Sequence, residues 1–319
     1  MKTIVFLDRA TIPSDISLPT PSFAHQWQEY QTTSPEQLLE RLEVADIVIT
    51  NKVVLERATL SQLPRLKMVA IAATGMNNVD LVACEELGIA VANIQGYATR
   101  SVPEHVIGMI YALKRNLFAY HNDIHAGVWQ ESKQFCFFSQ PIGDVAGTTL
   151  GVIGSGALGQ ATAALAKAIG MQVIFAERKG ESQCRDGYLP FEEVLASSDV
   201  LTLHCPLTDA TRNIIGDAEL AAMKSSAILI NTGRGGLVDE NALVAALKAG
   251  TIAGAGVDVF TQEPADMSNP LLAAMKTLPN LLLTPHVAWG SRSAITKLTE
   301  ILIENIDAFV AGESKNRVV

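Results

Sequence analysis

Residues Gly154 to Gly159 read GSGALG and place glycines at the first, third and sixth positions of a short turn. The turn follows a β-branched run at 148–153 and opens an alanine-rich helical stretch at 160–168. In this order of strand, turn and helix, Gly154 allows the tight turn, Gly156 lets the backbone approach a pyrophosphate, and Gly159 lets helix and strand pack closely. The turn therefore predicts a dinucleotide site with its phosphates at the helix N-terminus.

An acidic residue stands where this fingerprint expects one. Glu177 ends the apolar run at 173–176, roughly 20 residues beyond the glycines, where a carboxylate can accept both ribose hydroxyls and repel a 2′-phosphate. This favours NAD as the cofactor. Arg178 and Lys179 follow directly and could instead attract that phosphate, so NADP is not excluded.

Apolar runs alternate with helical patterns on both sides of the turn, which predicts parallel sheets. The second half carries six such runs, at 148–153, 173–176, 200–204, 227–231, 254–259 and 281–284. The first hundred residues carry four, at 3–7, 47–50, 67–72 and 89–92, with helical patterns at 35–42 and 79–87. The predicted fold class is α/β, with two doubly wound parallel-sheet domains.

Three further segments organise the chain. Helical spacing at 102–118 predicts one long helix leading out of the first domain, and the spacing at 291–310 predicts a terminal helix that packs back on it. The segment 121–145 holds aromatic residues with little periodicity, so it is either an interaction arm or a covered loop. We expect a discontinuous substrate domain at 1–100 plus 290–319, and a dinucleotide-binding domain at 101–289.

Composition narrows the classes of function. Thirty-three acidic residues against 24 basic ones give a formal charge of −9 over 319 residues, with no basic patch, so neither nucleic acid nor an anionic membrane is an expected partner. No apolar stretch approaches the ~20 residues of a membrane span, and the first residues do not resemble a signal peptide. The four cysteines are scattered without metal-ligand spacing. We expect a soluble cytoplasmic protein without a metal.

Polar residues follow three of the predicted strands. Arg234, Glu263 and His286 each stand just beyond such a strand. Because the carboxyl ends of parallel strands converge on one crevice, these three side chains can meet there.

The motifs around these residues make the chain similar to a known family. The matching segments are 73–80 (ATGMNNVD), 101–106 (SVPEHV), the glycine turn with 176–178 (AER), 204–208 (HCPLT), 231–235 (NTGRG), 258–260 (DVF) with Glu263-Pro264, and 285–289 (PHVAW). In this order they resemble the D-isomer-specific 2-hydroxyacid dehydrogenases, and within them the hydroxypyruvate reductase (glycerate dehydrogenase) group. The resemblance covers nearly the whole length.

The resemblance implies a Rossmann NAD-binding domain inserted in a flavodoxin-like substrate domain. It implies an NADH-dependent oxidoreductase, acting on the CH–OH group of D-2-hydroxy acids, that reduces hydroxypyruvate or glyoxylate. His286 would donate the proton to the developing alkoxide, Glu263 would hydrogen-bond the imidazole and fix its tautomer, and Arg234 would bind the carboxylate and the C2 oxygen. A homodimer is a further expectation.

The same resemblance assigns the binding residues. The expected substrate-binding set is Thr74, Gly75, Met76, Arg234 and Trp289. The expected cofactor-binding set is Gly154, Gly156, Ala157, Leu158, Gly159, Glu177, Arg178, Cys205, Pro206, Thr232, Gly233, Asp258, His286 and Ala288. Met76 departs from the small or hydroxylated residue more usual in relatives, which puts the shape of the substrate pocket in doubt.

One alternative comes from a different class of protein. Some corepressors similar to this family keep the fold as a dinucleotide-sensing regulatory protein that binds the cofactor without turning it over. The presence of arginine, glutamate and histidine together disfavours that alternative.

Overall fold

The computed structural model describes all 319 residues, and the chain divides into two compact units. The first unit comprises Met1–Tyr97 together with Gly290–Val319, and the second comprises Ala98–Trp289. The second unit is therefore an insertion in the first. The separate role expected for each unit remains a prediction.

Twelve strands and twelve α-helices make up the two units, with 3-10 turns at Arg9–Thr11 and Pro35–Gln37. The strands are β1 Lys2–Phe6, β2 His25–Glu29, β3 Ile47–Thr50, β4 Met68–Ile71, β5 Ala90–Ala92, β6 Thr149–Ile153, β7 Gln172–Ala176, β8 Tyr188–Leu189, β9 Val200–Leu203, β10 Ile228–Asn231, β11 Gly254–Val257 and β12 Leu281–Leu283. The helices are α1 Leu38–Leu42, α2 Arg57–Leu60, α3 Leu81–Glu86, α4 Ser101–Lys114, α5 Leu117–His125, α6 Val128–Ser132, α7 Ala157–Ala168, α8 Phe191–Ser197, α9 Asp217–Ala222, α10 Glu240–Ala249, α11 Pro270–Ala274 and α12 Arg292–Ala311.

The first unit contains a five-stranded sheet in the order β2-β1-β3-β4-β5, and all its pairs are parallel. The inner strands β3 and β4 are buried throughout, as expected for a sheet with helices on both faces. Strand β2 was missed by the sequence prediction. Its sequence HQWQE is largely polar because it lies at the sheet edge and pairs only with β1.

The second unit contains a seven-stranded parallel sheet in the order β12-β11-β10-β9-β6-β7-β8. The six predicted strands are present, and the two-residue strand β8 is added at the edge. Strand order reverses at β6, which pairs with β9 on one side and β7 on the other. Ligands bind in such sheets where the order reverses, and the glycine turn starts there. The prediction of two parallel-sheet α/β domains is confirmed.

The prediction of a single helix at 102–118 is wrong in one respect, because two helices, α4 and α5, occupy this range. Helix α4 ends at Lys114, and Asn116 adopts a left-handed conformation (φ 50°) before α5 begins. Asparagine tolerates this conformation better than most residues, and its side chain donates to the carbonyl of Pro141 at 2.7 Å. A side-chain bond from Ser101 in α4 to the carbonyl of Ala288 (2.6 Å) joins the beginning and the end of the second unit.

The terminal helix α12 belongs to the first unit and packs on β4. Ser291 caps its N-terminus by accepting from the N–H of Ala294, and Gly312 ends it at φ +80°. None of the helices is both long enough and apolar enough to cross a membrane. No group of three or more histidine, cysteine, aspartate or glutamate side chains is arranged to hold a metal ion.

Candidate active site

The glycine turn connects β6 to α7, and two of its glycines are required by close backbone contacts. Gly154 has φ +98°, and a Cβ there would lie 2.5 Å from the backbone nitrogen of Cys205. A Cβ on Gly159 would lie 2.0 Å from the carbonyl oxygen of Gly154. No side chain fits at either position, so helix and strand can approach only with glycine.

Gly156 is glycine for a different reason. A Cβ built on it meets no heavy atom of the protein within 4 Å, so the space in front of it is open. Gly156 is the N-cap of α7, and the N–H groups of Ala157, Leu158 and Gly159 in the first turn have no partner within the helix. These groups form a cradle that suits a phosphate.

Polar atoms without partners lie at the ends of the neighbouring strands. Thr232, which follows β10, is 7% exposed, and its hydroxyl makes no hydrogen bond. The buried Nδ1 atom of His204 also lacks a partner, and burial lowers the pKa of this imidazole to about 4. Cys205 and Pro206 follow, and burial raises the pKa of the Cys205 thiol. Buried polar atoms are normally paired, so the two orphans point to a ligand.

Glu177 directly follows β7, as predicted, but its carboxylate is fully engaged by the protein. The side chain is almost completely buried, and Arg185 binds both of its oxygens. These bonds, with those from the backbone N–H groups of Arg178 and Arg185, lower the pKa of Glu177 to about 2. The side chain of Arg178 is exposed, whereas Lys179 pairs with Glu219 at 2.7 Å. The ribose contact of Glu177 stays a prediction.

His286 and Glu263 form a hydrogen-bonded pair. Nδ1 of His286 lies 2.6 Å from Oε2 of Glu263, while Oε1 of Glu263 accepts the N–H of Phe260 at 2.9 Å. A carboxylate can only accept, so Nδ1 carries the hydrogen. Nε2 makes no hydrogen bond within the protein and is the atom left to exchange a proton with a ligand.

Asp258 holds the turn that carries His286. Its carboxylate accepts the backbone N–H groups of Val287 and Ala288, each at 2.9 Å, and the hydroxyl of Thr284 at 2.5 Å. The side chain is completely buried. Its predicted contact with the nicotinamide amide is therefore an additional role beside this structural one, and it stays a prediction.

Arg234 lies in the turn after β10, and that turn packs on the segment before Glu263. A Cβ on Gly235 would lie 1.8 Å from the carbonyl oxygen of Phe260, so the two backbones touch there. The guanidinium of Arg234 donates to the carbonyl of Gly233 at 2.7 Å and forms no ion pair. The structure thus brings a half-buried cation and the Glu263–His286 pair onto adjoining segments at the carboxyl ends of the strands.

Comparisons with known proteins show the family of this chain. Residues 107–288 match the family model described as D-isomer specific 2-hydroxyacid dehydrogenase, NAD binding domain. The chain belongs to the D-isomer specific 2-hydroxyacid dehydrogenases. It is 56% identical over 307 residues, 96% of its length and 98% of the relative's, to a Haemophilus influenzae protein that carries the name of a 2-hydroxyacid dehydrogenase.

Two more relatives extend the comparison over the whole dehydrogenase. A glycerate dehydrogenase of Methylorubrum extorquens is 50% identical, and the alignment covers 99% of each chain. Among solved structures, the TT0316 protein of Thermus thermophilus has a TM-score of 0.84 and 31% identity, and the match covers 99% of this dehydrogenase and 100% of that chain.

The residues at this site suit a bound dinucleotide, as expected for an NAD-binding domain. The open cradle at Gly156, the free N–H groups of the first turn of α7 and the orphaned hydroxyl of Thr232 are the features that a bound dinucleotide would satisfy. Gly233 keeps the turn close to the sheet, since a Cβ there would lie 3.0 Å from the carbonyl oxygen of Leu203.

The remaining predicted substrate residues lie at two places. Thr74, Gly75 and Met76 belong to the first unit and follow β4, where the hydroxyl of Thr74 donates to the carbonyl of Ile94 at 2.7 Å. Met76 packs partly against the core of that unit. Trp289 ends the second unit, and its indole N–H donates to the carbonyl of His286 at 2.9 Å.

Two interactions at the site of this dehydrogenase were not predicted. Arg185 binds Glu177 from eight positions along the chain, inside an irregular loop that carries no periodic signal. His105 in α4 contacts Thr284 at 3.1 Å and so joins the network around Asp258. The first contact spans eight positions through a loop without a regular pattern, and the second joins α4 to the segment after β12, so no local sequence signal indicates either of them.

Proposed function

We propose that this dehydrogenase reduces hydroxypyruvate or glyoxylate to the D-2-hydroxy acid with a reduced nicotinamide coenzyme. The observation that carries the proposal is the Glu263–His286 pair on a segment that adjoins the turn of Arg234, whose guanidinium forms no ion pair. The substrate is proposed from the 50% identical glycerate dehydrogenase, with which the alignment covers 99% of each chain.

The coenzyme, when bound, supplies the hydride that adds to the ketone carbon. Arg234 binds the substrate carboxylate and the C2 oxygen, because a planar fork of donors suits two acceptors on one side. As the C=O bond is reduced, Nε2 of His286 donates a proton to the developing alkoxide, so that hydride and proton together give the alcohol. Glu263 accepts from Nδ1, stabilises the imidazolium before transfer and keeps the ring oriented afterwards.

Thr74, Gly75 and Met76 form a loop of the first unit that is proposed to bind an anionic group of the substrate through its backbone N–H groups. The N–H groups of Gly75 and Met76 donate to no acceptor within the protein, so they are available to an anion. Trp289 is proposed to limit the pocket beside His286, where its indole is anchored to the carbonyl of His286.

Two further aspects of the function are proposals. Exposed aromatic side chains lie between α5 and β6, with Phe135 91% and Phe138 77% exposed, which supports a homodimer formed through this arm. Gel filtration of the F135S/F138S variant beside the parent protein tests it, and equal elution volumes would contradict it. Four free cysteines support a reducing cytoplasm as the location.

The central experiment measures initial rates with glyoxylate, hydroxypyruvate, pyruvate and 2-ketoisocaproate, each with NADH and with NADPH. We expect hydroxypyruvate or glyoxylate to give the largest kcat/KM. His286→Asn should lower kcat by about 10²–10⁴-fold, the usual contribution of a general acid, while NADH still binds. A parent protein that reduces none of the four acids, or an H286N variant as fast as the parent, would overturn the proposal.

A further inference from the structure

The carboxylate of Glu177 has no acceptor capacity left. Oε1 accepts the backbone N–H of Arg178 at 2.8 Å and Nη2 of Arg185 at 2.7 Å. Oε2 accepts the backbone N–H of Arg185 at 3.0 Å and its Nε at 2.7 Å. A carboxylate offers about four lone-pair directions, and the side chain is only 4% exposed. Ribose hydroxyls can reach Glu177 only if Arg185 gives way.

Arg185 is held on its other side as well, and that contact leads to the glycine turn. Its guanidinium lies 3.9 Å from the ring centroid of Tyr188, and the hydroxyl of Tyr188 donates to the hydroxyl of Ser155 between the first two glycines. About half of the Arg185 side chain remains exposed, whereas Glu177 is buried beneath it. Arg185 therefore presents its cation on the accessible side of the predicted ribose position.

The charges around the carboxylate of Glu177 differ from the lone negative charge that usually makes such a site selective for NAD. A lone carboxylate repels a 2′-phosphate, but here Arg185 compensates it at hydrogen-bond distance, and the exposed Arg178 adds a positive charge. Lys179 contributes less, because its ammonium group pairs with Glu219 at 2.7 Å. The accessible charge next to the carboxylate is thus positive.

We propose that Arg185 sets the coenzyme selectivity: by pairing with Glu177 it cancels the repulsion of a 2′-phosphate and offers that phosphate its guanidinium, so the enzyme binds NADPH as well as NADH. The inference rests on the coenzyme site proposed above. Arginine suits the task because its planar group has five N–H donors: Nε and Nη2 hold the carboxylate of Glu177, and Nη1 is left for a phosphate.

The test measures dissociation constants of NADH and NADPH by the change in coenzyme fluorescence, without substrate. In the parent protein the two constants should lie within about tenfold. Arg185→Ala should weaken NADPH about tenfold, as expected for one lost charge-assisted hydrogen bond, and leave NADH within about threefold. Glu177→Gln should shift the ratio towards NADPH. Lys179→Ala removes a like charge from the same loop and should leave the ratio unchanged.

A second comparison avoids a buried unpaired carboxylate. Compared with E177Q, the double variant E177Q/R185A should bind NADPH about tenfold more weakly and NADH almost equally well. Neither variant contains the carboxylate, so no buried charge is left without a partner. Equal changes for both coenzymes, or a parent protein that binds NADPH more than about 100-fold weaker than NADH, would overturn the role of Arg185. A parent protein that binds neither coenzyme would instead overturn the proposed function and this inference with it.

Discussion

The backbone N–H of His286 donates a 2.7 Å hydrogen bond to the carbonyl oxygen of Asp258. His286 has φ +54°, a left-handed conformation that costs a residue with a side chain about 1–2 kcal/mol. The carboxylate of Asp258 holds the two residues that follow, so it offsets this cost. The orientation of the imidazole is therefore fixed by two residues: Asp258 holds the backbone of the turn, and Glu263 accepts the hydrogen bond from Nδ1.

Asp258→Asn should lower both stability and turnover. An amide can accept on one atom only, so its NH2 group would face a backbone N–H that now has no acceptor, at a cost of about 1–3 kcal/mol. Urea unfolding and kcat measure the two effects. Asp266→Asn, an exposed aspartate whose bonds are to the neighbouring Ser268, is the control and should change neither. Unfolding midpoints of D258N and parent that coincide would show that Asp258 does not support the turn.

Arg234→Lys should raise KM for the keto acid by roughly tenfold or more, because lysine keeps the charge but loses the two-pronged geometry. The NADH dissociation constant should stay the same. Arg57→Lys, in an exposed ion pair with Glu86, makes the same exchange elsewhere on the surface and should leave KM unchanged. A KM for R234K equal to that of the parent would contradict the proposed contact between Arg234 and the substrate carboxylate.

Gly156→Ala should fold normally and lose coenzyme affinity. The added methyl group meets no protein atom, and the backbone at φ −68° suits alanine, but the methyl occupies the cradle where phosphates would bind. Gly108→Ala, inside α4 with open space around it, should bind NADH like the parent and gain about 0.5–1 kcal/mol of stability. NADH titration of both variants checks the contrast, and undiminished binding by G156A would contradict the cradle.

His204 should make the protein less stable as the pH falls through mild acid. Its pKa is about 4 when folded, below the ordinary value of 6.5 for the free side chain. The unfolded chain therefore takes up a proton between these values and the folded chain does not, which favours unfolding by up to about 3 kcal/mol across that window. Urea titrations at pH 7 and pH 5 should show a smaller loss for His204→Gln than for the parent. Equal losses would mean that His204 is not buried in its neutral form.

The glycine turn and the strand ends were predictable because their signals are local. Gly154 and Gly159 lie in the tight turn that directly follows β6, so their roles depend on neighbouring residues alone. The alternation of apolar runs and helical patterns predicted ten of the twelve strands. Strand β2 escaped because a polar edge strand has no apolar period, and β8 because two residues carry none. The break at Asn116 depends on one residue's dihedral angle.

The contacts that tune the site could not be predicted in the same way. Arg185 reaches Glu177 through an irregular loop, and nothing in their spacing distinguishes that arginine from Arg178, which sits beside the acid but leaves its side chain in solvent. Likewise, Asp258 follows a strand as expected, but only the folded chain shows that its carboxylate supports the turn of His286. Local patterns place residues at the site, and long-range packing decides what each of them touches.

The hydrogen bond between Ser101 and Ala288 bears on the order in which the chain folds. Bringing distant segments together costs entropy that rises with the length of flexible chain between them. When residues 98–289 have folded, their two ends lie close together. The inserted unit then separates the two parts of the first unit no more than a short loop would. The terminal helix α12 can then reach β4 at little entropic cost, so we expect the chain to fold faster when the inserted unit folds first.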